Sequence, residues 1–153
     1  MDDIFQISLR RFEDERGWLS EIFRAGSLPK PVRQTNLSFS RRGVIRGLHY
    51  HERGQDDLFV CLQGTARIVV LDRTTGDTFT ADIGDENPTA VYVRGVHAHG
   101  FEALTDVLFL YHVTEEYDPD DPDEHEVPWD YPRVRHLWST QSPILSKRDS
   151  GAS

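Results

Sequence analysis

Apolar and polar residues alternate with a period of two over short runs along most of the chain, the pattern of strands with one buried face. Residues 4–9 read as a first strand, 18–24 as a second and 32–40 as a third. Residues 13–17 make a turn, in which Gly17 is free to take positive φ. In the third run Gln34, Asn36 and Ser38 share one face, which is either solvated or lines a wet pocket. Residues 58–62 and 66–72 are apolar runs flanking a Gly64 turn, the signature of a hairpin. Residues 78–83, 90–93 and 107–113 complete the strands, and no amphipathic helix of useful length precedes residue 115. Turn signals about every ten residues predict an all-β sandwich or barrel. A short irregular or helical segment follows near the C-terminus. No repeat or linker interrupts the pattern, so the expectation is one domain over residues 1–153, with 150–153 a disordered tail.

The strand over residues 42–51 carries two kinds of side chain. Val44, Ile45 and Leu48 suit a core, whereas Arg46, His49 and His51 are costly to bury without partners. His49 and His51 lie two apart and point the same way. Two imidazoles on one face of an apolar strand suggest a cavity that holds polar chemistry; the plain alternative is a pair of surface histidines on an edge strand.

The net charge of -9 argues against nucleic acid as a partner, and an anionic substrate would need a locally basic cavity. Cys61 is the only cysteine, which excludes an internal disulfide and a cysteine zinc cluster; within an apolar run it reads as a buried, inert thiol. No positively charged leader precedes an apolar run, and no stretch approaches the ~20 apolar residues of a membrane span, so a cytoplasmic protein without membrane contact is expected. The acidic run 118–126 reads as a solvated loop.

Six words, in order, carry a resemblance to a known family: Asp14-Glu15-Arg16-Gly17 followed by Glu21; Gln34-Thr35-Asn36; Gly43-Val44-Ile45-Arg46-Gly47-Leu48-His49-Tyr50; Ala98-His99-Gly100-Phe101; Phe109-Leu110-Tyr111; and Leu145-Ser146 through Asp149. Together the chain resembles the dTDP-4-dehydrorhamnose 3,5-epimerases. The resemblance implies a cupin-like jelly roll, a dTDP-linked 4-keto sugar as substrate, no cofactor and no metal. It implies His49 as base, Asp149 as the carboxylate that orients it, and Tyr111 as acid on the opposite face of the sugar. It places Arg16, Glu21, Gln34, Asn36, Arg46, His99, Glu124 and Arg148 on the nucleotide sugar, and Arg46, if buried, needs an anion. It also implies a homodimer that exchanges N-terminal strands, residues 4–9 being otherwise an exposed edge. Trp129, Tyr131 and Trp138 are candidates to stack the base.

The sequence departs from that pattern at three places. Where the family has a lysine that helps hold the enolate, this chain has Asp57, and a carboxylate there would repel an enolate. His51 replaces a usual glutamine and His97 a usual phenylalanine. His49, His51, Asp57 and His99 also resemble the metal motif of other cupins. A 3,4-ketoisomerase using the His-x-His pair is a further possibility, as is a degenerate sugar-binding homologue.

Overall fold

A computed structural model describes residues 1–151; Ala152 and Ser153, half of the expected tail, lie outside the described residues. Twelve strands follow in order: β1 (Phe5–Ser8), β2 (Arg11–Asp14), β3 (Gly17–Ser20), β4 (Gln34–Ser40), β5 (Ile45–Tyr50), β6 (Asp56–Gln63), β7 (Thr65–Leu71), β8 (Thr78–Gly84), β9 (Thr89–Arg94), β10 (Ala98–Ala103), β11 (Val107–Val113) and β12 (His125–Glu126). One five-stranded antiparallel sheet runs β1-β9-β6-β11-β4 and a second runs β12-β5-β10-β7-β8, while β2 and β3 pair only with each other. The only helical turns among the described residues are 3-10 turns at Ala25–Ser27 and Arg135–Leu137. None is long and apolar enough to cross a membrane.

Alternation places apolar side chains on both faces of each sheet, and each face finds a different cover. Phe59, Ile68, Val70, Val91, Phe101 and Phe109 fill the space between the sheets, with the rings of Phe101 and Phe109 stacked at 3.9 Å. Ile45, Leu48, Val69, Leu71 and Ala98 lie on the outer face of the second sheet, sealed by Val134 and Trp138. Leu58, Val60, Ala90 and Tyr92 form a third cluster with Leu9 on the outer face of the first sheet. Buried Cys61 has its thiol pushed up to about 11, chiefly by burial, in keeping with an inert role.

Several expectations need correction. The apolar runs around Gly64 are not a hairpin: β6 pairs with β9 and β11, whereas β7 pairs with β8 and β10. Period-two patterning says which face is apolar but not which strand lies alongside. Both strands feed the same core from opposite sheets, and the turn between them crosses the sandwich. Its backbone is satisfied by other loops, with the Asp85 N–H donating to the Gly64 carbonyl and the Leu104 N–H to that of Thr65. The first strand pairs with β9 of its own chain and forms one edge of its sheet. Ser150 and Gly151, assigned to a disordered tail, form a turn whose N–H groups donate to the Ser146 and Arg148 carbonyls.

Only glycine fits the crossing. Gly64 has φ +83°, and a Cβ there would lie 2.2 Å from the Asp106 carbonyl oxygen. Gly64→Ala should therefore destabilise the fold by more than about 1 kcal/mol. Urea unfolding followed by fluorescence measures this, and an unchanged midpoint would contradict it.

Candidate active site

A cavity of about 830 Å³ opens between the sheets, within the usual range for small-molecule sites. Strand β5 supplies its central histidine. The β5–β10 ladder pairs His49 with His99 but Arg46 with Phe101, so register shifts between them. Gly47 sits at this irregularity with φ +136° and a cis peptide to Leu48; a Cβ on it would meet the Gly100 Cα at 2.7 Å. Strict alternation is thereby broken: Ile45 and Leu48 are buried in the outer core, while Arg46 and His49 both line the cavity.

Asp149 reaches His49 because the C-terminal segment is fastened beside β5. Buried Glu102 accepts from the Ser139 N–H at 2.7 Å and also meets its hydroxyl. Ile144 then bridges Val44 in parallel. Asp149 Oδ1 lies 2.8 Å from His49 Nε2, and its Oδ2 accepts from the Gly47 N–H at 3.2 Å. Burial raises the Asp149 pKa, but His49, the Gly47 N–H and Arg148 together outweigh it and hold the carboxyl below its ordinary value. A carboxylate accepts only, so the His49 proton sits on Nε2 and Nδ1 is the free lone pair. Glu124 Oε1 stands 3.9 Å from that Nδ1, and its other oxygen accepts from Arg148 Nη1 at 2.8 Å. Arg148 is further held by Glu126.

Tyr111 enters from β11, on the sheet opposite His49. It is half-buried, and burial raises its pKa against the pull of Arg46, so the phenol keeps its proton. Gln34 and Asn36 line the wall from β4, with Gln34 Nε2 donating to Asn36 Oδ1 at 2.9 Å. Gln34 Oε1 also accepts from the Tyr117 N–H at 2.8 Å, tying the wall to the loop that follows β11.

A second cluster lines the same cavity. Asp57 Oδ2 lies 3.2 Å from His99 Nε2, and Oδ1 lies 3.9 Å from His51 Nε2. Gln55 donates to Asp57 Oδ1 at 2.9 Å and stands 3.2 Å from His51 Nε2. Burial lowers the His51 pKa, helped by His99; for His99, burial is outweighed by Asp57, the His97 carbonyl and Glu124 together, and its pKa is raised. Burial likewise raises the Asp57 pKa, but His99, His51 and Gln55 together outweigh this and the carboxyl stays below its ordinary value.

The remaining expected residues differ from expectation in their surroundings. Arg46 lines the cavity but is exposed rather than buried, and it bonds Ser40 Oγ at 2.8 Å rather than an anion. Arg16 and Glu21 do not line the cavity; Arg16 pairs with Asp14 and Glu21 with Arg24 on the surface. His97 turns away to meet Asp3 at 2.9 Å and does not crowd the site. Trp138 is buried in the outer core and donates to the Trp129 carbonyl, and neither tryptophan nor Tyr131 reaches the cavity. Phe59, Phe101, Phe109 and Tyr117 are the aromatics there besides Tyr111. The acidic run is not simply solvated: Asp123 accepts from the N–H groups of Glu52 and Arg53. Nor is the cavity basic, since Asp118, Asp121, Asp123 and Glu124 line it against Arg46 and Arg53. Ser40 and Gln55, which orient Arg46 and Asp57, went unnoticed in the sequence. Only the position of Gln55 two residues before Asp57 could have flagged it.

A half-buried imidazole–carboxylate pair sharing a cavity with a phenol from the opposite sheet is the equipment of a proton-transfer enzyme. The family model for dTDP-4-dehydrorhamnose 3,5-epimerase matches residues 1–153. The spore coat polysaccharide biosynthesis protein SpsL of Bacillus subtilis is 34% identical over 149 residues, spanning 92% of this chain and 98% of that protein. The dTDP-4-dehydrorhamnose 3,5-epimerase of Sulfolobus tokodaii superposes with TM-score 0.85 at 31% identity, covering 97% of this chain and 88% of its own. A 3'-monoepimerase from Streptomyces bikiniensis, solved with dTDP-quinovose, gives TM-score 0.86 at 31% identity, covering 97% and 82%. This chain belongs to the dTDP-4-dehydrorhamnose 3,5-epimerase family. The expected cupin-like jelly roll and the assignment to the epimerases, a class of isomerase, are both borne out.

The Asp149 carboxyl also sets a pH dependence. Its folded pKa is depressed, so its contribution to stability is present above the ordinary carboxylate value and is lost as pH falls through the lower folded value. Asp149→Asn should therefore lower the melting temperature at pH 7 and lessen its fall between pH 5 and 3. Parallel melting curves for the two proteins across that range would contradict the pairing.

Proposed function

We propose that the chain inverts C3, C5 or both of a dTDP-linked 4-keto-6-deoxyhexose. The observation that carries this is the His49–Asp149 pair on one sheet with Tyr111 entering the same cavity from the other. A proton beside the C4 ketone passes to His49 Nδ1, and the C–H electrons move onto the C4 oxygen as an enolate. Asp149 steadies the imidazolium that forms. Tyr111 then returns a proton to the same carbon from the opposite face, inverting it. Its raised pKa keeps the phenol protonated until the strongly basic enolate is present. Gln34, Asn36, Arg46, His99 and Glu124 contact the substrate from the walls, with Arg148 holding Glu124 in place.

Arg16 and Glu21 join the site through a second copy of the chain. The β2–β3 hairpin belongs to neither main sheet and exposes Phe12, Trp18 and Leu19. Strand β4 is a sheet edge exposing Leu37 and Phe39. In a two-fold dimer each hairpin covers the other chain's β4 edge, hiding both apolar surfaces and bringing Arg16 to a cavity short of cations. The exchanged element is then this hairpin rather than residues 4–9. Sedimentation should give a dimer at micromolar concentration, with Trp18→Asp shifting it to monomer; a monomeric wild-type protein would end the proposal.

Incubation with a dTDP-4-keto-6-deoxyhexose in deuterated water tests the chemistry. Deuterium should enter at C3, C5 or both, and His49→Ala should reduce the rate by roughly 10²–10⁴-fold. Tyr111→Phe should slow product formation more than loss of the substrate proton, because abstraction comes first. Exchange that survives in His49→Ala would move the base to another imidazole. A 3-keto product would mark a 3,4-ketoisomerase, and no incorporation at all a binding homologue.

A further inference from the structure

The cluster at the inner end of the cavity has a donor–acceptor imbalance that the proton chemistry does not use. His51 Nδ1 lies 2.6 Å from the Asp123 carbonyl, and His99 Nδ1 lies 2.8 Å from the His97 carbonyl. A carbonyl oxygen only accepts, so both rings carry their proton on Nδ1. In the neutral rings each Nε2 is then a bare lone pair. Both lone pairs converge on the Asp57 carboxylate, itself only an acceptor. All three residues are buried, with relative exposures of 5% for His51, 5% for Asp57 and 4% for His99. Gln55 is the single amide donor directed at the group, and it is shared between His51 and Asp57.

We propose that His51, Asp57 and His99 form a binding site for a divalent transition-metal ion. One atom from each residue lies within 4.8 Å of the others. Donors held about 2.1 Å from one ion stand about 3.0–3.4 Å apart; His99 Nε2 already lies 3.2 Å from Asp57 Oδ2, while His51 Nε2, 3.9 Å from Asp57 Oδ1, would have to close in. Two imidazoles and one carboxylate favour Zn, Fe, Co or Ni over Mg or Ca. Both rings donate their remote N–H to a backbone carbonyl, the outer-shell arrangement that aims a metal-binding histidine. The Gln55 amide offers either end, and turned over it presents its oxygen to the same ion. His51, Asp57 and His99 line the same cavity as His49 and Tyr111. His49 does not belong to this set. Its N–H meets the Asp149 carboxylate, a matched donor and acceptor with no lone pair left over there.

An ion here would supply positive charge where Asp57 stands in place of the family's lysine, and would hold an anionic oxygen of the substrate. That consequence rests on the epimerase reading, whereas binding of the ion does not. The test uses untagged protein stripped with chelator and then titrated with Co²⁺ and Zn²⁺. One equivalent should bind, Co²⁺ should develop visible absorption, and the melting temperature should rise with metal concentration. Asp57→Asn and His99→Gln should each weaken binding by more than about 100-fold, beyond the loss expected for an outer-shell partner. His49→Asn should bind the ion as the wild type does, so failure of the metal site and failure of the proposed base are read separately. Circular dichroism of the metal-free variants shows whether they fold; a variant that does not is replaced by His51→Gln. Less than a tenth of an equivalent bound at 1 mM Co²⁺, or equal binding by folded Asp57→Asn, would overturn the proposal. The cluster would then be a protonated His99–Asp57 pair only.

Discussion

A single contact between residues one hundred positions apart organises this molecule: the Asp149 carboxylate against the His49 imidazole. A carboxylate taken out of water needs partners, and Asp149 has two, the imidazole and the Gly47 N–H. Meeting those partners requires the C-terminal segment to run beside β5 and the outer face of its sheet to be apolar. Val134 and Trp138 seal that face, and the buried Glu102 carboxylate anchors Ser139 on the way. The outer core of the second sheet is thus also the scaffold that aims the imidazole.

Strand β5 can serve core and cavity together because its alternation fails at one point. A regular strand would place Arg46 and His49 on opposite faces. The register shift at Gly47 sends both inward and leaves Ile45 and Leu48 for the core. Gly100 packs against Gly47 from the neighbouring strand, so two glycines make the close approach possible. The irregularity is therefore what allows an imidazole and a guanidinium on one short strand to face the same cavity.

The strands, the inward face of Gln34 and Asn36, and the shared direction of His49 and His51 were legible because a period of two fixes which face a side chain takes. Strand partners were not, and the Gly64 turn was misread as a hairpin because both runs bury apolar faces in one core from opposite sheets. Trp129 and Trp138 were misplaced because a large aromatic serves an outer core as well as a ligand. Arg46 lines the cavity and is still exposed, because facing inward does not by itself set depth. Arg16 and Glu21 lie on a hairpin whose final neighbours depend on assembly, which one chain's pattern does not encode. Position 57 was noticed as a reversal of charge, but its meaning came only with the orientation of the two rings beside it.

The loop between β11 and β12 touches both histidine centres. The Asp123 carbonyl takes the His51 N–H, while the neighbouring Glu124 stands over the free nitrogen of His49 and holds Arg148. One peptide link therefore joins the two centres mechanically. The orientation of the His51 ring and the carboxylate over His49 are thus set by the same two consecutive residues, and neither can be placed without the other.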